Sequence, residues 1–216
     1  MKKYTYLLTL LLLLSFTLGA QQSLHRYWNL EGQPVSKAEQ RMIFDQDRGN
    51  IISVAIDNGG LVVEHRLVPR WKKGQLSAAQ NQAVKSYLNQ QQALPLPAKY
   101  QAVILFYPGK DRSNSTGLAT RNSYAKLYDR FERKLKRLKT AFPFYIYKND
   151  NGLERQSKNR DWRKDADHLV EQTFFKYHYP GGSYAVIDEQ GNFNAFYGEY
   201  MLSSVVKTTR KMKAVN

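Results

Sequence analysis

The sequence predicts an α/β fold: a sheet flanked by helices, preceded by an N-terminal β-hairpin and helix. Three observations carry this expectation. Residues 102–107 form a continuous apolar run of strand length, as expected of a strand covered on both faces. Residues 124–138 repeat apolar positions at steps of three and four, which a helix packed along one side requires. Two pairs of β-branched and aromatic runs, within 51–68 and 183–197, each flank a glycine-bearing turn and read as hairpins.

In chain order, the first twenty residues read as a signal peptide. Lys2 and Lys3 precede an uncharged apolar run from residue 7 to 18, which closes on Gly19 and Ala20. The competing reading is an uncleaved anchor, but the run falls short of the ~20 residues a spanning helix needs. Cleavage after Ala20 leaves 196 of the 216 residues, enough for one domain or for a domain with an extension. The expected plan is therefore a signal peptide at 1–20, an N-terminal extension at 21–97 and a main domain at 98–216, with no transmembrane segment once the signal is removed.

Residues 21–49 mix polar and aromatic positions and read as an extended lead-in. Residues 51–56 and 61–68 are strand-like around Asp57-Asn58-Gly59-Gly60, whose Asn-Gly step tolerates the positive φ that a tight hairpin needs. Pro69 ends the second strand. Ser77 can cap a helix carrying Ala79, Ala83, Val84, Tyr87 and Leu88 on one face, and Leu94-Pro95-Leu96-Pro97 stops it.

After the strand at 102–107, a loop over 108–120 leads into the helix with Tyr124, Leu127, Tyr128, Phe131, Leu135 and Leu138 on its packing face. Arg130, Arg133, Lys134 and Arg137 belong to its basic face, partly offset by Asp129 to Arg133 and Glu132 to Lys136 pairs at four-residue spacing. A strand follows at 142–147, a polar loop at 149–163 and a helix at 165–177. The second hairpin turns at Glu189-Gln190-Gly191, and a last helix starts near Tyr200 with Leu202, Val205, Val206, Thr209 and Met212 inward.

From Ala102 onward the order strand, helix, strand, helix, hairpin, helix resembles the thioredoxin-like fold. The residues that carry the likeness are Ala102-Val103-Ile104-Leu105-Phe106-Tyr107 for the central strand, Tyr177-His178-Tyr179-Pro180 ahead of the hairpin, Tyr184-Ala185-Val186-Ile187-Asp188 with Gln190-Gly191-Asn192, and Gly198 before the last helix. They span a little over half the chain. The resemblance implies a cis-proline at Pro180 that leaves neighbouring backbone groups open to an extended partner. It also places Pro108-Gly109-Lys110-Asp111-Arg112-Ser113-Asn114-Ser115-Thr116 where that superfamily keeps its redox cysteines.

The chain has no cysteine at all. Disulfide exchange and thiol peroxidase chemistry are thereby excluded, because a serine hydroxyl is far less acidic than a thiol and forms no stable disulfide. Lipid attachment through a cysteine is excluded for the same reason. None of His25, His65, His168 and His178 sits in a zinc motif, and no Walker or Rossmann glycine pattern occurs, so no metal or cofactor is expected. Asp165 and His168, three apart on the expected helix, read as a satisfied surface pair.

What remains is binding. The expected binding residues are Lys110, Asp111, Arg112, Ser113 and Ser115 in the loop and His178, Tyr179 and Pro180 before the hairpin, with Arg130, Arg133, Lys134 and Arg137 as a basic surface. The net charge is +15, which favours an acidic partner; an envelope protein or an acidic polymer suits an exported chain, and nucleic acid does not. No catalytic residue is assigned. The expected role is an exported, non-redox binding or assembly module, periplasmic or extracellular. The competing class is an envelope hydrolase using His178 with a loop hydroxyl or carboxylate. A further expectation is that the aromatic positions from 174 to 200 mostly form core, with any left open lining a recognition groove.

Overall fold

A computed structural model describes residues 23–57, 59–91, 95–115, 121–155 and 160–214. The expected signal peptide, the turn residue Asn58 and the end of the loop at 116–120 lie outside the described residues. Among the described residues the fold is mixed α/β, with two sheets and six helices. No helix among the described residues is long and apolar enough to cross a membrane.

The lead-in is more structured than its composition suggests. It contains β1 (Leu24–Trp28), β2 (Pro34–Val35) and α1 (Lys37–Gln46). Ser36 caps α1, its hydroxyl accepting from the Glu39 amide at 3.1 Å. Buried Gln40 then ties the helix to the strands by donating to the Trp28 and His65 carbonyl oxygens, at 2.9 and 2.8 Å. The expected hairpin forms as β3 (Ile51–Asp57) and β4 (Val62–Pro69), antiparallel with Ile51 opposite Pro69. Strand β1 joins it in parallel along β4, giving a four-stranded sheet ordered β2-β1-β4-β3.

This small sheet carries a histidine pair. His25 Nδ1 lies 2.9 Å from His65 Nε2, and the His65 ring stacks on Tyr27. Burial holds the His65 pKa below the ordinary histidine range, and the neighbouring His25 ring and the Lys37 ammonium push the same way. The folded state thus binds fewer protons here than the unfolded chain. Its contribution to stability is present above about pH 6.5 and is lost as pH falls from there through the lowered pKa. Urea midpoints should accordingly fall between about pH 7.5 and about pH 5. His65→Phe, which keeps the ring but cannot titrate, should reduce that fall; an unchanged fall would remove His65 as its origin.

The chain passes from the small sheet to the large one through a single residue, Arg70. Strand β5 (Trp71–Gln75) follows at once and pairs with the far end of the sequence as the edge of a six-stranded sheet. Helix α2 (Ala78–Gln90) starts in a full capping box: the Ser77 hydroxyl accepts from the Gln80 amide at 3.2 Å, and the Gln80 side chain accepts from the Ser77 amide at 3.0 Å. Then come β6 (Gln101–Tyr107), the short α3 (Arg112–Ser115), α4 (Arg121–Lys136), β7 (Ala141–Tyr147), β8 (Trp162–Lys164) and α5 (Leu169–Phe174). The chain closes with β9 (Ser183–Ile187), β10 (Asn192–Tyr197) and α6 (Leu202–Ala214).

The large sheet runs β5-β10-β9-β6-β7-β8. Strands β6, β7 and β8 are parallel, whereas β9 is antiparallel to β6 and continues through β10 to β5. Every residue of β6 is buried. Ala102, Ile104 and Phe106 face a core shared with α2, α5 and residues Ile52 and Val54 of the small sheet. Val103 and Leu105 face α4 and α6 through Tyr128, Phe131, Leu135, Val205 and Val206. This two-sided cover is what a continuous apolar run demands.

Three expectations need correction. The polar stretch 149–163 is not only loop, since it holds a 3-10 turn and the start of β8. The helix expected at 165–177 is only Leu169–Phe174, because Asp165 is folded back to cap it instead of entering it. The Asp129 to Arg133 and Glu132 to Lys136 pairs do not form. Both carboxylates instead hold Arg160, whose side chain is 2% exposed, with Glu132 Oε1 3.1 Å from Arg160 Nε.

Candidate functional site

The site grows from the end of β6. Past Tyr107 the chain turns through Pro108 and Gly109 into a closed loop in which Asp111 and Asn114 hold each other. The Asn114 amide donates to Asp111 Oδ1 at 3.0 Å, and the Asp111 amide donates to Asn114 Oδ1 at 2.9 Å. The Asn114 side-chain amide donates back to the Gly109 carbonyl oxygen at 2.8 Å. Ser115 Oγ donates to the Asp111 carbonyl oxygen. The second carboxylate oxygen of Asp111 reaches across to the turn before β9, accepting from the Gly181 amide at 2.8 Å and lying 3.4 Å from His178 Nε2.

Asp111 therefore fastens the loop after β6 to the segment around Pro180. Register brings them there, since Phe106 and Ser183 are paired across β6 and β9. Position 181 itself calls for glycine: at φ +80° its backbone is in the left-handed region, and a Cβ would stand 2.4 Å from Glu199 Cγ.

The expected site residues separate into three groups. Lys110 and Arg112 are exposed beside the loop, and Ser115 is turned onto backbone. Asp111 and His178 meet, with the His178 side chain 42% exposed. Tyr179 is buried, its ring stacked on Tyr197 at 4.3 Å between centroids, so it is core and not a contact surface. Burial raises its hydroxyl pKa and that of Tyr197, the latter to about 12. There is no cis peptide bond among the described residues, so the bend expected at Pro180 is absent and positive-φ Gly181 and Gly182 turn the chain instead. Asp165 and His168 are joined through the backbone, the His168 amide donating to the Asp165 carbonyl oxygen at 3.2 Å, and not as a surface side-chain pair: the Asp165 carboxylate is buried against α5, and His168 Nδ1 lies 2.8 Å from Glu171 Oε2.

A groove of about 550 Å³ between α4 and α6 gathers the rest. Ser113 and Asn114 enter it from the loop, Gly181 from the turn, and Arg130 and Lys134 from the basic helix. Arg133 on the same helix and Arg137 just past its end are exposed but do not line it. Among the described residues neither Arg130 nor Lys134 has a carboxylate partner, and Asp129 and Glu132 both hold Arg160.

The walls are largely apolar. Phe131 and Val206 form a buried floor, while Leu127 and Met201 stay 49% and 71% exposed at its edges. Leu127, expected to pack on the sheet, lies at the margin of its apolar stripe and is left half open. A second cavity of about 370 Å³ adjoins through Glu199, Tyr200 and Met201 and is lined by Trp71 and Phe196. Most of the aromatic cluster from Phe174 onward is core, and Phe196 and Tyr200 are members left partly open here. Burial pushes the Tyr200 hydroxyl well above the usual tyrosine range, so it stays a neutral donor.

Apolar walls, a few convergent polar groups and a volume within the range of ligand sites make this arrangement suited to holding a molecule. It is less suited to attacking one, since among the described residues Asp111 is the hydrogen-bond partner of His178 and neither loop serine is. Met201 and Gly181 escaped the sequence reading because exposure of a lone methionine and the close approach of a loop leave no periodic trace. No protein-family model matches the chain, and no curated protein matches it either.

Proposed function

We propose that the chain is an exported, non-redox binding or assembly module of the cell envelope, built on a thioredoxin-like arrangement and acting through the groove between α4 and α6. One observation carries this reading: the loop after β6, the turn at Gly181 and the cationic residues Arg130 and Lys134 converge on one largely apolar groove. The order β6, α4, β7, α5, β9-β10 hairpin, α6, with the short α3 and strand β8 inserted, supports the thioredoxin-like arrangement, and the missing thiols support a binding role over a redox one. The net charge of +15 favours an acidic partner.

Capture from envelope extract on the immobilised protein tests this. Leu127→Asp and Asp111→Ala should each deplete one specific partner, whereas Arg133→Ala, outside the groove, should retain it. Equal recovery on all three variants would refute the site. The hydrolase reading rests on the 3.4 Å contact of His178 with Asp111. It requires turnover of an ester or amide substrate that disappears in His178→Ala.

A further inference from the structure

Resting on that reading of the groove, we infer that its ligand is a single-chain fatty acid, with the carboxylate held between Arg130 and Lys134 and the hydrocarbon laid over Leu127, Phe131, Met201 and Val206.

The argument starts from the two cations. Arg130 and Lys134 stand four residues apart on α4, so their side chains emerge side by side and can meet one small anion together. Both line the groove, and neither has a carboxylate partner among the described residues. Glu199 lines the same groove beside Gly181 and disfavours a second anionic group in the ligand. A single anionic head matches this charge pattern.

The body of the ligand follows from what the walls lack. An extended peptide laid in a groove needs backbone partners for its own N–H and C=O groups. Here much of the wall is the flanks of two helices, whose backbone groups are committed within the helices, and the floor is Phe131 and Val206; where the turns enter, the Gly181 amide is held by Asp111 and the Met201 carbonyl oxygen accepts from the Ser204 amide. A hydrocarbon chain asks for no such partners and gains from every apolar contact. The space is also of the right order: a methylene occupies about as much as a water molecule in the liquid, ~30 Å³. The cavity of about 550 Å³ is therefore of a size to take one acyl chain. The exposed edges formed by Leu127 and Met201 are the surface such a chain would cover.

Calorimetric titration of the purified protein with dodecanoate and with dodecanol, both below micelle formation, tests the inference. Dodecanoate should bind at one saturable site, more tightly than dodecanol, and its affinity should weaken as salt rises. The double variant Arg130→Ala/Lys134→Ala should lose on the order of tenfold in dodecanoate affinity, the scale of a hydrogen bond to a charged group. Dodecanol binding should be unchanged by it. Leu127→Asp and Met201→Asp alter exposed positions, so both should fold, as circular dichroism can verify, and both should abolish binding of either ligand.

Absence of saturable dodecanoate binding overturns the inference. So does equal affinity for the alcohol, or a loss in Arg133→Ala/Arg137→Ala as large as in the groove variant. If dodecanoate fails while a partner is still captured in a Leu127-dependent way, the fatty-acid inference falls and the binding-module reading stands; if capture also ignores Leu127, both fall.

Discussion

Replacing Gly198 with alanine is expected to lower the unfolding free energy by about 3 kcal/mol, the sum of a left-handed backbone penalty of roughly 1–2 and an overpacking penalty of roughly 1–3. Gly198 follows β10 at φ +85°, and a Cβ there would stand 2.4 Å from Ile52 Cδ1 and 3.1 Å from Arg70 Nη1. Neither neighbour can retreat easily. Ile52 is buried in the shared core, and the Arg70 guanidinium is held by the Arg48, Ile51 and Tyr197 carbonyl oxygens. For a chain of this length the loss corresponds to a fall in Tm of roughly 6–12 °C. Gly49→Ala is the control, since a Cβ there meets nothing within 4 Å and its backbone is not left-handed. Adding Ile52→Val, which removes the obstructing methyl, should recover part of the loss. Equal Tm values for the Gly198 and Gly49 variants would show that the sheets are not packed as closely as described.

Asp165→Ala should cost about 2 kcal/mol, within the upper range for losing a helix cap and leaving buried amides unpaired. Helix α5 has only six residues and cannot persist on its own. Its preceding residue, His168, sits at φ 53° with no side-chain cap, so the cap comes from further back. Asp165 Oδ2 accepts from the Glu171 amide at 2.8 Å, Oδ1 accepts from the Val170 amide at 3.2 Å, and the Asp165 amide itself donates to the Tyr147 carbonyl oxygen at 2.8 Å. Asp165→Asn keeps one acceptor and should cost less than half as much.

The pH dependence separates the two variants further. Burial raises the Asp165 pKa and its two amide donors oppose the rise. The folded state therefore holds this proton more readily than the unfolded chain, and the contribution of Asp165 to stability falls as pH rises from the ordinary carboxyl value, about 3.9, through the raised one. The asparagine variant should gain on the wild type over that interval. A gap between them that does not change with pH would contradict the burial of this carboxylate.

Local pattern carried much of the fold and little of the site. The pairing of β3 with β4, the Ser77 cap and the two-sided burial of β6 each follow from residues close in sequence, and each is present. Strand β5 was hidden because Trp71-Lys72-Lys73-Gly74-Gln75 is an exposed edge strand with no alternation to reveal it. Strand β8, three residues long, is set by its pairing with Tyr145 to Tyr147 and not by its own composition. Helical spacing suggested local partners for Asp129 and Glu132, and a buried arginine about thirty positions away claimed both. That exchange left Arg133 and Lys136 without the carboxylates that helical spacing offers them, a rearrangement that no short-range rule could supply.

The pairing of β5 with β10 has a consequence for how the protein comes into being. A strand near residue 73 finds its neighbour only near residue 194, and the central strand likewise waits for the hairpin that follows residue 182. During synthesis the nascent chain thus cannot finish its main sheet until nearly the last helix has emerged, and contacts of such long span form slowly. A chain assembled in this order exposes the edges of its central strands for most of its synthesis, although the small sheet, built between Leu24 and Pro69, can pair early.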